Sequence, residues 1–320
     1  MSVAAVAAKI SYQQPIRREL THRAAVSEVF VTSLAARSAG RFVAGAQLPR
    51  MHAYYGDHLG VLGARHDLLA VMETARQAAI ALTHEFYAVP LDSVFLVRTF
   101  NGMGIPGPVW AAGPDPAELV LGIEVVNLHG KGATPCGLDV VLEISCAGAP
   151  LATVDGSFSW LAREEWSGLR TVFRQEQGLE PGVGAVVSAD RRADPAAVGR
   201  RDPRNVVVGG LSDGAAAPLA VDPGHPFLFD HRLDHLPGSA LLEAARQTAL
   251  LRLSGDRPDP PQLMAVRSRF DRFTELDLAA ECRAELAGPP GSLRARCMVR
   301  QGEMTTAELD LTFRDVSAAG

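Results

Sequence analysis

The sequence predicts an α+β protein of two like halves, each a long buried helix set against antiparallel strands, and three observations carry that prediction. The pentapeptide Glu73-Thr-Ala-Arg76-Gln77 returns 170 positions later as Glu243-Ala-Ala-Arg246-Gln247. Each copy follows a loop holding an Asp-His pair, Asp57-His58 in the first case and Asp230-His231 in the second. Each is also followed by strand-like segments joined by a short turn.

In chain order, residues 26–32 alternate as a strand does. A helix then runs from Leu68, with Leu69, Met72, Ala75, Ala79 and Leu82 recurring at three and four, and Glu73, Arg76, Gln77 and Ile80 on the adjoining stripe. Asp67 is placed to cap it. Residues 94–100 form a strand, 101–116 a Gly/Pro segment, and 137–145 with 151–161 a hairpin turning at 147–150. Residues 164–204 hold Arg, Glu, Gly and Pro clusters and read as a linker with one short helix over 166–177. The second half echoes the first. It has a strand-like stretch at 205–209, a helix from Leu241 with Leu242, Ala245, Ala249 and Leu253 inward, then strands at 292–299 and 305–313 turning at Gln301-Gly302. The expected units are residues 1–165, a linker over 166–204, and residues 205–320. Small alanines on both helices permit close packing against strands.

Composition bounds the function classes. The 320 residues suit about two domains, and 47% hydrophobic with 21% charged content is ordinary for a globular chain. A net charge of −5 argues against non-specific nucleic-acid binding, which needs a basic field. No apolar run approaches the ~20 residues of a membrane span. The Ala-Val-Ala-Ala patch at residues 5–8 is too short for a signal segment, and its basic residues follow it. Cys136, Cys146, Cys282 and Cys297 have neither metal spacing nor disulfide density, so no metal and a reducing cytoplasm are expected.

Gly102-Met-Gly104-Ile-Pro-Gly107 matches the dinucleotide fingerprint in letters. The fingerprint works by delivering phosphate to a helix start, and Pro106, Pro108, Gly113 and Pro114 prevent one here. A Gly/Pro loop between strands is expected instead, and no nucleotide cofactor.

The second half resembles 3-hydroxyacyl-carrier-protein dehydratases of the hot-dog fold. The stretch from Phe229-Asp-His231 through His235-Leu-Pro237-Gly238 to Glu243-Ala-Ala-Arg246-Gln247 carries this likeness. It departs from them by a loop about two residues shorter and by Arg246 where they carry a small residue. More of the chain is similar to the A-factor biosynthesis (AfsA-type) family. The matching segments are Thr21 through Ser33, Phe42 through Arg50, His66-Asp67-Leu-Leu to Gln77, and His225-Pro226 to Gln247.

That resemblance implies a tandem hot-dog pseudo-dimer, either monomeric or a homodimer. It further implies transfer of a β-ketoacyl group from acyl carrier protein to the primary hydroxyl of dihydroxyacetone phosphate, toward a γ-butyrolactone-type signalling molecule. A thioesterase, a dehydratase and a non-catalytic acyl or lactone binder are the alternatives. Acyl transfer to an alcohol needs a base, donors for the oxyanion and an anchor for phosphate. Glu243 is the expected base, its pKa raised by burial, with Arg246 as phosphate anchor and Gln247 on a carbonyl. His231 and His235 either share the proton work or pack and cap. Free N–H groups after Pro237-Gly238 offer an oxyanion hole. Glu73, Arg76 and Gln77 with His58 and His66 form the equivalent set. A Glu-Arg pair satisfied along its own helix is the structural alternative. The second half is favoured for catalysis, and no convincing nucleophile points to an acyl-enzyme.

Overall fold

The computed structural model describes residues 10–131, 134–253, 259–289 and 291–316. The apolar patch at 5–8 lies outside them. The first half comprises β1 (Val31–Ser38), β2 (Arg41–Leu48), α1 (Leu68–Tyr87), β3 (Val94–Gly104), β4 (Ala117–Lys131), β5 (Thr134–Cys146) and β6 (Ala149–Leu161). After α2 (Arg163–Glu176) the second half comprises β7 (Ala216–Pro218), α3 (Gly238–Leu253), β8 (Gln262–Phe270), β9 (Glu281–Leu286), β10 (Arg294–Gln301) and β11 (Met304–Arg314). These strands form one antiparallel sheet in the order β1-β2-β4-β5-β6-β3-β8-β11-β10-β9-β7. The halves join where β3 pairs with β8, Gly102 opposite Val266 and Met103 opposite Ala265. Each long helix packs against its own half's strands. This is the tandem hot-dog architecture.

Both long helices are buried almost all round, which is why apolar periodicity alone underdescribes them. Asp67 starts α1 by accepting the Leu69 N–H at 3.0 Å, and a left-handed Ala88 ends it. Ala75, Ala78 and Ala81 are fully buried and let the sheet approach closely.

Four expectations are corrected. The Gly/Pro loop does not begin at residue 101, because β3 continues to Gly104. A methyl group at Gly102 would sit 2.6 Å from Met72 Sδ, and one at Gly104 2.7 Å from the Trp110 ring, so these glycines admit a helix and an indole. Residues 26–28 form a 3-10 turn, and the strand starts at Val31. Residues 205–209 hold only an isolated bridge, Val208 opposite Leu219, and no strand. Both departures have one cause, since the side-chain amides of Gln77 and Gln247 take the backbone groups a ladder would use. Gln77 bonds the Phe30 N–H and Glu28 carbonyl, and Gln247 the Val207 N–H and Asn205 carbonyl. Finally, the short helix begins at Arg163, three residues before the expected start.

α2 is tied to the second half by ions. Arg170 and Arg174 both donate to the fully buried Glu275 carboxylate, at 2.7 and 2.6 Å, and Arg174 also reaches Asp277 at 2.7 Å. Among the described residues, no helix is long and apolar enough to cross a membrane.

Candidate functional site

The second repeat lies at the centre of a buried ionic chain. Glu243 is completely buried and accepts from Gln247 at 2.5 Å and from Arg200 Nε at 3.1 Å, while Arg246 closes on its other oxygen. Arg246 also donates to both oxygens of Asp67, at 2.8 and 2.7 Å. Asp67 in turn meets His58 Nε2 at 3.0 Å. The chain therefore runs His58, Asp67, Arg246, Glu243, Arg200. It draws on the loop before α1, the cap of α1, the middle of α3 and the turn before residue 201.

Electrostatics follow from this geometry. Burial alone would raise the Glu243 pKa, but Arg200 and Arg246 outweigh it and hold the carboxyl below its ordinary value. The expectation of a raised, base-like Glu243 is thus corrected. For Asp67, burial is likewise overcome, by Arg246 and His58, and the carboxyl falls far below the usual range. Burial pushes His58 down more than Asp67 lifts it, so its ring is neutral at neutral pH. An ionised Asp67 only accepts, which assigns the proton to Nε2 and leaves Nδ1 as the basic nitrogen.

The first repeat builds a parallel constellation. Glu73 accepts from Arg76 Nη2 at 2.7 Å, Gln77 at 2.8 Å and Arg23 Nε at 3.0 Å, and lies at a pKa of about 2: burial opposes the shift, Arg23 and Arg76 impose it. Arg23 also approaches Asp230 at 3.5 Å, and Asp230 holds His231 Nδ1 at 2.6 Å. Arg23 stacks on Phe227 as Arg200 stacks on Tyr54, so an approximate two-fold relates the two sets.

The histidine loops cross over. His231 sits with Glu73 and Arg23, and His58 with Arg246 and Glu243, so each constellation is assembled from both halves. The expected pairing of loop and helix within one half is therefore corrected. His235 joins neither set; it is held by Asp234 at 2.6 Å and packs on Phe273. The start of α3 at Pro237-Gly238 lies beside Phe270, while the open cleft meets α3 at Arg246 and Leu250. His66, expected with Glu73, lines that cleft instead. Arg246 is not a free phosphate anchor, because both its prongs are taken by carboxylates. Arg76 is a quarter exposed, with its fork on Glu73.

The cleft beside the second set is small, about 20 Å³, and is lined by His58, Arg65, His66, Asp67, Arg246 and Gln262 facing apolar residues such as Leu62, Leu250 and Leu263. Sequence reasoning passed over Arg23, Arg200 and the ionic role of Asp67. A signal existed: Arg23 stands seven positions before Phe30 and Arg200 seven before Val207, the two N–H donors to the repeat glutamines.

Comparison with known proteins is consistent with this architecture. The profile of the A-factor biosynthesis hotdog domain matches residues 6–162 and 185–317. A 2-oxo-3-(phosphooxy)propyl 3-oxoalkanoate synthase of Streptomyces virginiae is 33% identical over 84% of this chain and 87% of its own length. The protein of the same name from Streptomyces coelicolor is 32% identical over 89% and 86%. Among solved structures, a pyran synthase domain from module nine of the sorangicin pathway superposes with a TM-score of 0.51 at 13% identity, over 90% of this chain and 98% of that one. A 12:0-ACP thioesterase from Umbellularia californica gives 0.50 at 12%, over 87% and 99%. At such identities these two share the fold alone.

Proposed function

The chain belongs to the A-factor biosynthesis hotdog family, and on that footing we propose that it is an acyltransferase moving a 3-oxoacyl group from a thioester on acyl carrier protein to the primary hydroxyl of dihydroxyacetone phosphate. The product is the phosphorylated β-keto ester named by its relatives, a precursor of a γ-butyrolactone-type signal. The observation that carries the site reading is the His58–Asp67 pair, set in an open cleft against the Arg246–Glu243 pair.

In this reading the acceptor O–H gives its proton to His58 Nδ1 as its oxygen bonds to the thioester carbonyl carbon. Asp67 fixes the ring and its tautomer, as the carboxylate of a hydrolytic triad does. Negative charge develops on the carbonyl oxygen beside Arg246, which lines the cleft and whose position two carboxylates fix in advance. The C–S bond then breaks and the thiolate takes the proton back from His58. Glu243 stays ionised and works as the counter-charge that holds Arg200 and Arg246 in place, with Gln247 orienting it. No serine, threonine or cysteine lines the cleft among the described residues, which supports direct transfer over an acyl-enzyme. Buried Cys297 has its thiol pushed up by Cys282 and by burial, and it bonds the Ala245 carbonyl. Glu73, Arg76, Gln77 and His231 form the related second set, read as supporting substrate and structure.

The test is mass spectrometry of the purified protein with a β-ketoacyl thioester, with and without dihydroxyacetone phosphate. The phosphorylated β-keto ester is expected only with the triose. Free acid formed equally in both mixtures would replace this reading by a thioesterase.

A further inference from the structure

Arg246 is committed to two carboxylates and, in the proposed mechanism, to the thioester carbonyl oxygen, so a phosphorylated acceptor needs its charge met elsewhere in the cleft. Arg65 lines the same cleft and, among the described residues, pairs with no carboxylate. Its Nε–H is tied to Gln262 Oε1 at 2.7 Å, and Gln262 is 4% exposed and therefore fixed. Anchoring through Nε leaves the two terminal nitrogens for a bidentate contact. The backbone is held as well. The His66 N–H donates to the Trp110 carbonyl at 2.8 Å, the Ala112 N–H to the Ala64 carbonyl at 2.8 Å, and Arg65 forms an isolated bridge with Ala111. His66 stands next along the wall. Arg314 acts on Arg65 as a like charge, so two cations stand near this wall, and the Asp67 carboxylate is engaged by Arg246.

We propose that Arg65, positioned by Gln262 and flanked by His66, is an anion subsite that takes the phosphate of the acceptor. The subsite rests on the acyltransferase reading for its ligand and on the cleft's own geometry for its charge. It is also one-sided. The two-fold offset that aligns Asp67 with Pro237 aligns Arg65 with His235, whose ring is held by Asp234. The Glu73 set therefore has no equivalent anchor, and one acceptor site per chain is expected.

The test compares the whole wild-type chain with R65Q and R65K, after circular dichroism and melting temperature show that each variant folds. Steady-state transfer to dihydroxyacetone phosphate is measured together with the melting shift produced by inorganic phosphate. R65Q is expected to raise KM for the triose by roughly 10- to 100-fold, with KM for the thioester unchanged, and to lose the phosphate shift. R65K keeps part of both, as a point charge replaces a fork. Transfer with an unaltered triose KM in R65Q would overturn the subsite and leave the acyltransferase standing. A wild-type chain that ignores the triose, yet loses its phosphate shift in R65Q, would keep the subsite and overturn the acceptor.

Discussion

Arginine between two carboxylates is the recurring device of this protein, and it sets what each neighbouring side chain can do. Tyr54 packs against Arg200, which pairs with Glu243 and with backbone carbonyls, 4.7 Å below its guanidinium, and the buried Tyr54 hydroxyl has no hydrogen-bond partner among the described residues. Burial and Glu243 push its pKa well up, so it stays a neutral phenol. At the related position stands Phe227, which stacks on Arg23 without a hydroxyl. Tyr54→Phe is expected to raise unfolding free energy by about 1 kcal/mol, since a stranded hydroxyl is removed and the stacked ring kept. Urea unfolding checks this, and a loss of similar size would show that the hydroxyl is satisfied. Two further groups contribute to acid sensitivity. His22 is driven to about 3 by burial, then by His84 and Arg76, from 6.5; Glu73 falls to about 2 from 4.5, its arginines overcoming burial. In both cases the unfolded chain binds the proton first, so stability falls as pH drops, from about 6.5 downward for His22 and from about 4.5 for Glu73. His22 has a left-handed φ of 54°, which asparagine tolerates, so H22N is expected to flatten the upper part of a melting-temperature profile measured from pH 8 to 5.

The elements show what a sequence reader can and cannot see. The two helices were legible because repeated Glu-Arg-Gln pentapeptides and alanine spacing survive in one dimension. The strands before them were misread because Gln77 and Gln247, distant in sequence, occupy the backbone groups that a ladder needs. The fingerprint glycines Gly102 and Gly104 were given to a loop but lie in β3, and only the packed positions of Met72 and Trp110 explain them. The segment after β6 read as a linker because its Arg, Glu, Gly and Pro clusters show no strand or amphipathic period. Arg170 and Arg174 are in truth 5% and 1% exposed at their side chains, locked on Glu275. Arg174→Met strips the buried Glu275 of one of its two cations and Asp277 of its fork, and it is expected to destabilise the protein by about 3–5 kcal/mol. Urea unfolding followed by far-UV dichroism measures this. A change within about 0.5 kcal/mol would mean that α2 is not held by these ions.

Crossing of the histidine loops makes the two halves one chemical unit, and the sequence could not show it, because the order of residues is silent on which loop meets which helix. The residues of the second site were all in view as letters, yet His58 was grouped with Glu73, whereas through Asp67 it reaches Arg246, and Arg200 was read as part of a linker. The same crossing yields a coupling test. His58 acts on Glu243 through Asp67 and Arg246, whereas His231 touches Asp230 in the other set. Residues that work as one unit are strongly non-additive when removed together. H58A and E243Q, each expected to lower kcat by roughly 100-fold or more, should therefore give a double variant scarcely worse than the weaker single one. H231A combined with E243Q should multiply the two single effects instead. Two double-variant cycles in kcat/KM decide the matter, with melting temperatures confirming that each protein folds. Coupling of Glu243 to His231, and independence from His58, would restore the within-half site that the sequence first suggested.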